Sequence, residues 1–393
     1  MIDRDMKPTL LHLAGQYPVV AVTGPRQSGK TTLCKATFPD KPYINLEIPD
    51  VRQYAIDDPR SFLADNADGA ILDEIQRAPE LLSYIQNMVD ENDQAGRFIL
   101  TGSQKFEVMH TVTQSLAGRV GLLKLLPLSL AEMQRHGMYA EVDSHIFSGG
   151  YPRIYNTHTH PTQVMGDYVE TYVQRDIRQL VQIKNIALFE TFVRLCAGRV
   201  GQLLNLSSLG ADAGVTHTTA REWINLLEAS YIIFQLRPWH ANISKRLIKA
   251  PKLYFYDTGL ASYLLGLESE QHVHNHPLRG SLFENMVIVE AMKFRFNRGK
   301  RSNMSFYRDS GGHEVDLLLS SGNKLFPIEI KSGATVNRDY FKGLNYFAAL
   351  DTEQVTSGAV IYGGTSAQKR GVWQVCPLKQ MEHLLQSVQN EFS

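Results

Sequence analysis

The sequence predicts an α/β multidomain protein: an N-terminal parallel-sheet domain, a helical middle, and a smaller C-terminal α/β domain. Three observations predict it. Residues 18–155 alternate short apolar strands with helical stretches, the pattern of a parallel sheet covered by helices. Residues 163–228 carry apolar side chains at helical spacing. After His276-Pro277 the pattern changes to one helix followed by strands of period two. A chain of 393 residues is long for one core, so boundaries are placed at 1–158, 159–275 and 276–393.

Composition bounds the function. Hydrophobic content of 43% and charged content of 20% belong to a globular protein. A formal net charge of zero excludes a chain-wide nucleic-acid field, so any such surface is a local patch. Cys34, Cys196 and Cys376 lie far apart without metal-ligand spacing, which fits a reducing compartment. The start, Met1-Ile2-Asp3-Arg4-Asp5, lacks the apolar core of an export signal, and no apolar run reaches membrane-spanning length. A cytoplasmic protein with no membrane partner is expected.

The first element is an apolar strand, residues 18–23, followed by Gly24-Pro25-Arg26-Gln27-Ser28-Gly29-Lys30-Thr31 and then by Thr32 in a helical stretch. Strand, G-x-x-x-x-G-K-T and helix together predict a phosphate-binding P-loop. Its backbone N–H groups and the helix N-terminus would hold ATP phosphates. Lys30 is expected at the β- and γ-phosphates and the Thr31 hydroxyl on Mg²⁺.

A second strand is expected at residues 41–46 and a third at 69–74, ending in Asp73-Glu74. Ligands on such sheets bind at the carboxyl ends of the strands. Asp73 would hold Mg²⁺ and Glu74 would polarise water, as in a Walker B element. A fourth strand, residues 97–103, ends in hydroxyls; Thr101 or Ser103 suits a γ-phosphate sensor, against the alternative of a simple strand-ending turn. Arg119, beside small residues, is a candidate to stabilise transition-state charge, from its own chain or from a neighbour in an oligomer. Gly149-Gly150-Tyr151-Pro152 resembles the turn with which the signal-transducing branch of the AAA+ superfamily contacts adenine, which makes Tyr151 and Pro152 candidate nucleotide contacts.

In the middle, a short helix and turn at residues 206–215, a helix at 216–228 and a strand at 231–236 follow the order of a winged helix-turn-helix. The wing-like stretch 237–252 carries Arg237, Lys245, Arg246, Lys249 and Lys252 with no acid between them, which suits DNA phosphates. A packing or lid module is the alternative. The stretch 293–301 adds five basic residues interleaved with Phe294 and Phe296. DNA is thus the expected partner, through residues 216–252 and 293–301.

The C-terminal part sets Glu284 on a helix, Asp316 on a strand, and Glu329 and Lys331 on the next strand, where period two puts the last two on one face. Ser281 with Glu284 also reads as a helix capping box. A helix Glu, a strand Asp and Glu-x-Lys resemble the core of restriction-endonuclease-like, PD-(D/E)XK, nucleases. That resemblance implies Mg²⁺ or Mn²⁺ on Glu284, Asp316 and Glu329, with Lys331 acting on the attacking water. Val315 stands where that pattern has proline.

Taken in order, GPRQSGKTT, ILDEIQ, ILTGSQ, SLAGRV, GGYPR, YFYDTGLA, EVDLLL and IEIKSG resemble a prokaryotic family of AAA+-superfamily ATPases fused to a C-terminal domain of unknown function. The resemblance spans residues 8–350 and implies ATP binding and a restriction-endonuclease-like C-terminal fold. The first expectation is a Mg²⁺-dependent ATPase acting on DNA. The second is a nucleotide-gated scaffold or switch with vestigial C-terminal acids and a protein partner. A metabolite kinase is poorer, because nothing downstream supplies an acceptor site.

Overall fold

The computed structural model describes residues 2–103, 116–176, 185–239, 250–350 and 354–392. The chain divides into two compact units. One comprises residues up to 128 with 229–231 and 295–301; the other comprises 129–228, 232–294 and 302 onward.

The first unit is built on a five-stranded sheet in the order β2-β3-β4-β1-β5. Its strands are β1 (Val19–Thr23), β2 (Tyr43–Asn45), β3 (Ile71–Asp73), β4 (Phe98–Gly102) and β5 (Val120–Lys124). Every pairing is parallel. Both faces are buried, as parallel sheets require. Val19, Ala21, Leu72 and Leu100 pack on one side with Phe62, Leu82 and Ile85. Val20, Val22, Ile71 and Ile99 pack on the other with Leu10, Leu33 and Cys34. The continuous apolar runs of β1 and β4 follow from this double burial, and the loops at their carboxyl ends share one edge of the sheet.

The second unit carries a six-stranded mixed sheet, order β12-β13-β11-β10-β9-β8. Its central hairpin is β9 (Glu314–Ser321) and β10 (Lys324–Lys331), antiparallel with Ile328 opposite Leu317. β8 (Met304–Arg308) flanks β9, while β11 (Gly358–Tyr362) runs parallel to β10 and to β13 (Trp373–Pro377), with β12 (Gln368–Arg370) at the edge. The long helix Arg279–Phe296 precedes this sheet in the chain. Before it come the helices Ile186–Ala197, Leu206–Asp212 and His217–Ala229, and the antiparallel pair β6 (Ile233–Leu236) and β7 (Lys252–Phe255). Trp223 packs edge-on against Phe189 and Phe192, which accounts for the apolar stripe on its helix. The helix, helix and strand order expected at residues 206–236 is thus present.

By compactness the first unit ends at 128, before the boundary expected at 158, and residues 129–158 pack within the second unit. The cause is where residues 129–158 find partners. The Leu130 N–H donates to Glu290 at 2.8 Å, the Ser262 hydroxyl to the Ile146 carbonyl at 3.0 Å, and Arg279 to Asp143 at 2.7 Å.

Gly149 is the tightest point of this packing. Its φ of 67° with ψ of −159° lies in a region essentially reserved for glycine. A Cβ there would sit 2.1 Å from Asp257 Oδ1. Asp257 is buried and accepts from Gly150 N–H at 2.7 Å while capping the helix Thr258–Leu264 through Leu260 N–H at 3.1 Å. Gly149→Ala is expected to destabilise the second unit by about 2–4 kcal/mol, read as a lowered urea midpoint; an unchanged midpoint would contradict this account.

Candidate functional site

β1 ends at Thr23, and the chain turns through Gly24, whose φ of 149° brings its backbone so close to Leu125 that a Cβ would lie 2.1 Å from that carbonyl oxygen. Pro25, Arg26, Gln27 and Ser28 carry the loop to Gly29, with Gln27 at φ 62° and Gly29 at φ 94°. The helix Lys30–Thr37 starts there, with Thr32 on its exposed side. Arg26 faces Glu47 at 3.0 Å. The Lys30 ammonium folds back on its own loop, donating to the Gly24 carbonyl at 3.1 Å and the Pro25 carbonyl at 2.8 Å. Burial lowers its pKa, against the opposing pull of Glu74 and Asp73. The Ser28 hydroxyl is buried without a hydrogen-bond partner, an orphan pointing to a polar ligand.

Asp73, at the carboxyl end of β3, collects the strand ends. It is 6% exposed. Thr31 donates to its Oδ1 at 3.0 Å, Tyr43 to its Oδ2 at 2.7 Å, and Thr101 to Oδ1. Burial first, and then the bond to Asp73, push the Tyr43 phenol above its ordinary pKa, so it stays a donor. Glu74 adopts φ 56°; its N–H donates to the Thr101 hydroxyl at 3.3 Å, and its carboxylate accepts from Ser103 at 3.0 Å and from Gln76. Lys30, Thr31, Asp73, Glu74, Thr101 and Ser103 therefore form one connected group at one sheet edge.

Three partners here escaped the sequence reading. Tyr43 and Gln76 are named above; the third is Arg4, buried, which donates at 2.7 Å to both the Ser28 and the Leu126 carbonyls and so ties the loop to the chain after β5. Tyr43 had a readable signal, as it stands in β2 beside β3; Arg4 and Gln76 had none.

Other expected residues lie elsewhere. Arg119 pairs with Asp90, through Nη2 at 2.9 Å and through Nε, and donates to the Ala117 carbonyl. Tyr151 is enclosed in the second unit, its hydroxyl donating to Tyr168 at 3.0 Å, and Pro152 opens the helix Pro152–Thr157. Asp257 accepts from the Gly150 N–H and shapes that turn, so its Gly-Gly-Tyr-Pro signature has a packing cause within the second unit. In the stretch 293–301, Phe294 and Phe296 are buried and Lys293 pairs with Glu290 at 2.7 Å, so the interleaved rings are core and not a stacking platform. Lys245, Arg246 and Lys249 lie outside the described residues.

The C-terminal acids do converge. Lys331 lies 2.6 Å from Glu329 Oε1 and 3.6 Å from Asp316 Oδ2, and Asp316 also accepts from the Ile330 N–H at 2.8 Å. Glu284, in the second turn of its helix, accepts from Tyr254 and from Lys252, the latter at 2.9 Å. Because the helix begins at Arg279, Ser281 is inside it and the capping-box alternative is not realised. Lys252 also reaches Glu314 at 2.5 Å, and Glu314 meets Arg308 at 3.2 Å. Burial, and then the neighbouring Asp316, raise the pKa of both Glu284 and Glu329. Burial alone would lower that of Lys252, but Glu284, Asp316 and Glu314 outweigh it and hold the ammonium charged. Glu329 Oε2 is buried without a partner. Among the described residues, no three His, Cys, Asp or Glu side chains converge closely enough to hold a metal ion as they stand. Lys252, Tyr254 and Glu314 were not among the expected site residues; Glu314 carried a signal, sharing the Asp316 face by period two.

A phosphate-sized loop after β1, closed on its own lysine, with an acid pair at the end of β3, is the equipment of a P-loop ATPase, and residues 16–134 match the family described as AAA domain. The first unit is a nucleotide-binding P-loop ATPase domain of the AAA type. Residues 139–271 and 279–381 match two families each described as a domain of unknown function. The uncharacterized protein Rv2008c of Mycobacterium tuberculosis is 29% identical over 336 residues, covering 84% of this chain and 74% of its own. Among solved structures, the Walker-type ATPase paby2304 of Pyrococcus abyssi shares 14% identity over 67% of this chain and 96% of its own, with a TM-score of 0.45. AMPPCP-bound DnaA from Aquifex aeolicus shares 15% over 57% and 85%, with a TM-score of 0.28. No helix among the described residues is long and apolar enough to cross a membrane.

Removing the Arg4 guanidinium leaves two buried carbonyls without their charged donor. Arg4→Met is expected to cost about 2–4 kcal/mol and to weaken binding of a fluorescent ATP analogue; intact stability and affinity would show that the loop does not depend on this tie.

Proposed function

We propose that this chain is a Mg²⁺-dependent ATPase that acts on DNA, with a metal-dependent phosphodiester-cleaving centre at Glu284, Asp316, Glu329 and Lys331. In the ATPase site, Lys30 exchanges its two loop carbonyls for the β- and γ-phosphates, and Ser28 gains the partner it lacks. Thr31 and Asp73 would hold Mg²⁺, which offsets the negative charge of the phosphates. Glu74, fixed by Ser103 and Gln76, orients the attacking water, and Thr101 reports on the γ-phosphate through its bond to Asp73.

One observation supports the cleavage reading: Lys331 lies against the buried Asp316 and Glu329 of two paired strands, with Glu329 Oε2 unsatisfied, while the half-buried Glu284 of the long helix is held by Lys252 and Tyr254. Glu284, Asp316 and Glu329 are hard oxygen donors suited to Mg²⁺ or Mn²⁺. A metal there would supply activated water and neutralise the leaving oxygen. Lys331, 34% exposed, is placed to orient that water. The exposed His217, Thr218, Arg221 and Asn225 of the helix His217–Ala229 supply groove-reading chemistry, and Arg237 a phosphate contact.

A second reading, a nucleotide-gated switch with a vestigial centre and a protein partner, draws on the lysine-neutralised state of the acids. Cleavage of linear, nicked and branched DNA with Mg²⁺ or Mn²⁺, with and without ATP, separates the two. Asp316→Ala is expected to lower cleavage at least about 10²-fold while leaving ATP hydrolysis intact, and Lys30→Ala to abolish hydrolysis. Hydrolysis without cleavage of any substrate would reject the nuclease reading in favour of the switch.

A further inference from the structure

The turn after β3 holds a carboxamide whose oxygen has no partner. Glu74 takes the left-handed conformation, φ 56° and ψ 50°, which a glutamate adopts at a cost in backbone strain. Ile75–Arg77 then form a single 3₁₀ turn, closed by the Arg77 N–H on the Glu74 carbonyl at 2.9 Å. Ile75 is buried in the core on one face of the parallel sheet and anchors the turn. Gln76 is thereby folded back beside Glu74.

The polar atoms of this pair account for one another except at two oxygens. Gln76 Nε2 donates to Glu74 Oε2 and to the Ser103 hydroxyl, the latter at 3.3 Å, which uses both of its hydrogens. The amide faces this way of necessity, because its oxygen turned toward Glu74 would meet a carboxylate. Ser103 in turn donates to Glu74 Oε2 at 3.0 Å. Oε2 is therefore filled twice, while Glu74 Oε1 accepts no hydrogen bond among the described residues. Gln76 Oε1 is buried and has no partner either. A buried carbonyl oxygen without a donor costs stability and calls for a donor that arrives with a ligand. Two acceptors, one on each side chain, stand unused beside an ordered carboxylate.

We propose that Gln76 is a catalytic residue of ATP hydrolysis, accepting one hydrogen of the attacking water while Glu74 Oε1 accepts the other. The inference rests on the role proposed for Glu74. Water has two O–H groups, and one carboxylate oxygen fixes only one of them. A second acceptor fixes the direction of the lone pair that attacks. In the step, the water oxygen bonds to the γ-phosphorus as the bond from that phosphorus to its bridging oxygen breaks and ADP leaves. One water proton passes to Glu74 Oε1. The other stays on the new phosphate hydroxyl, hydrogen-bonded to Gln76 Oε1, so the products are ADP, phosphate and one proton. The double filling of Oε2 holds the Glu74 side chain while this happens.

The test compares Gln76→Met, Gln76→Asn and Glu74→Gln with wild type in the full chain. Gln76→Met is expected to lower kcat at least about tenfold while the affinity for a fluorescent ATP analogue stays unchanged. Gln76→Asn, whose amide stops one carbon short, is expected to do likewise, and it carries the comparison should Gln76→Met fail to fold. A readout independent of turnover is binding of ADP with aluminium fluoride, a complex that includes an attacking water, against ADP with beryllium fluoride, which does not. The Gln76 variants are expected to bind the first at least about tenfold more weakly and the second as wild type does. Wild-type turnover in the Gln76 variants, with hydrolysis lost in Glu74→Gln, overturns the role of Gln76 and keeps that of Glu74. Normal hydrolysis in Glu74→Gln overturns both. Equal losses of affinity for the two fluoride complexes make Gln76 a packing residue and reject the proposal.

Discussion

A carboxylate taken out of water must be given its hydrogen bonds back, and Asp73 is where the first unit meets that requirement. Its oxygens are answered by Thr31 from the helix after the loop, Tyr43 from β2 and Thr101 from β4. Three elements are thereby held to one carboxyl edge, and the P-loop is set opposite the acid pair as a consequence. The donors are all neutral hydroxyls.

The C-terminal acids meet the same requirement by the opposite means. Their partners are ammonium and guanidinium groups: Lys252, Lys331 and Arg308. Charge there is nearly balanced before any ligand arrives. Breaking such a buried pair by removing one partner is costly, because it leaves the other charge unpaired in a low-dielectric setting. Hydroxyls answer the acid of one cluster; three cations answer the acids of the other.

What the sequence made legible was local. The P-loop is eight consecutive residues and gives Lys30 and Thr31 directly; Asp73, Glu74, Thr101 and Ser103 stand at or beside the ends of β3 and β4, and were singled out by the likeness of those strand ends to a Walker B element and a sensor. Period two put Glu329 and Lys331 together, and it would have added Glu314 to Asp316. Partners far apart in the chain were not legible: Arg4 reaches Leu126 across 122 positions, and Lys252 reaches Glu284 from a stretch whose charges looked like a wing. Gly149-Gly150-Tyr151-Pro152 shows the limit of turn signals. Glycine and proline report that a turn is tight, not what it is tight around, and here the object is Asp257. In residues 293–301 the alternation of basic and aromatic residues belongs to the end of an 18-residue helix, whose Lys293 already had Glu290 three positions before it.

These two ways of satisfying a buried acid lead to different binding behaviour. When a nucleotide reaches Lys30, an ammonium leaves two neutral carbonyls for charged phosphate oxygens, and an orphan hydroxyl at Ser28 is answered; each exchange favours the bound state. The acid cluster offers no such gain, because its carboxylates are already paired with Lys252 and Lys331 before any ligand arrives.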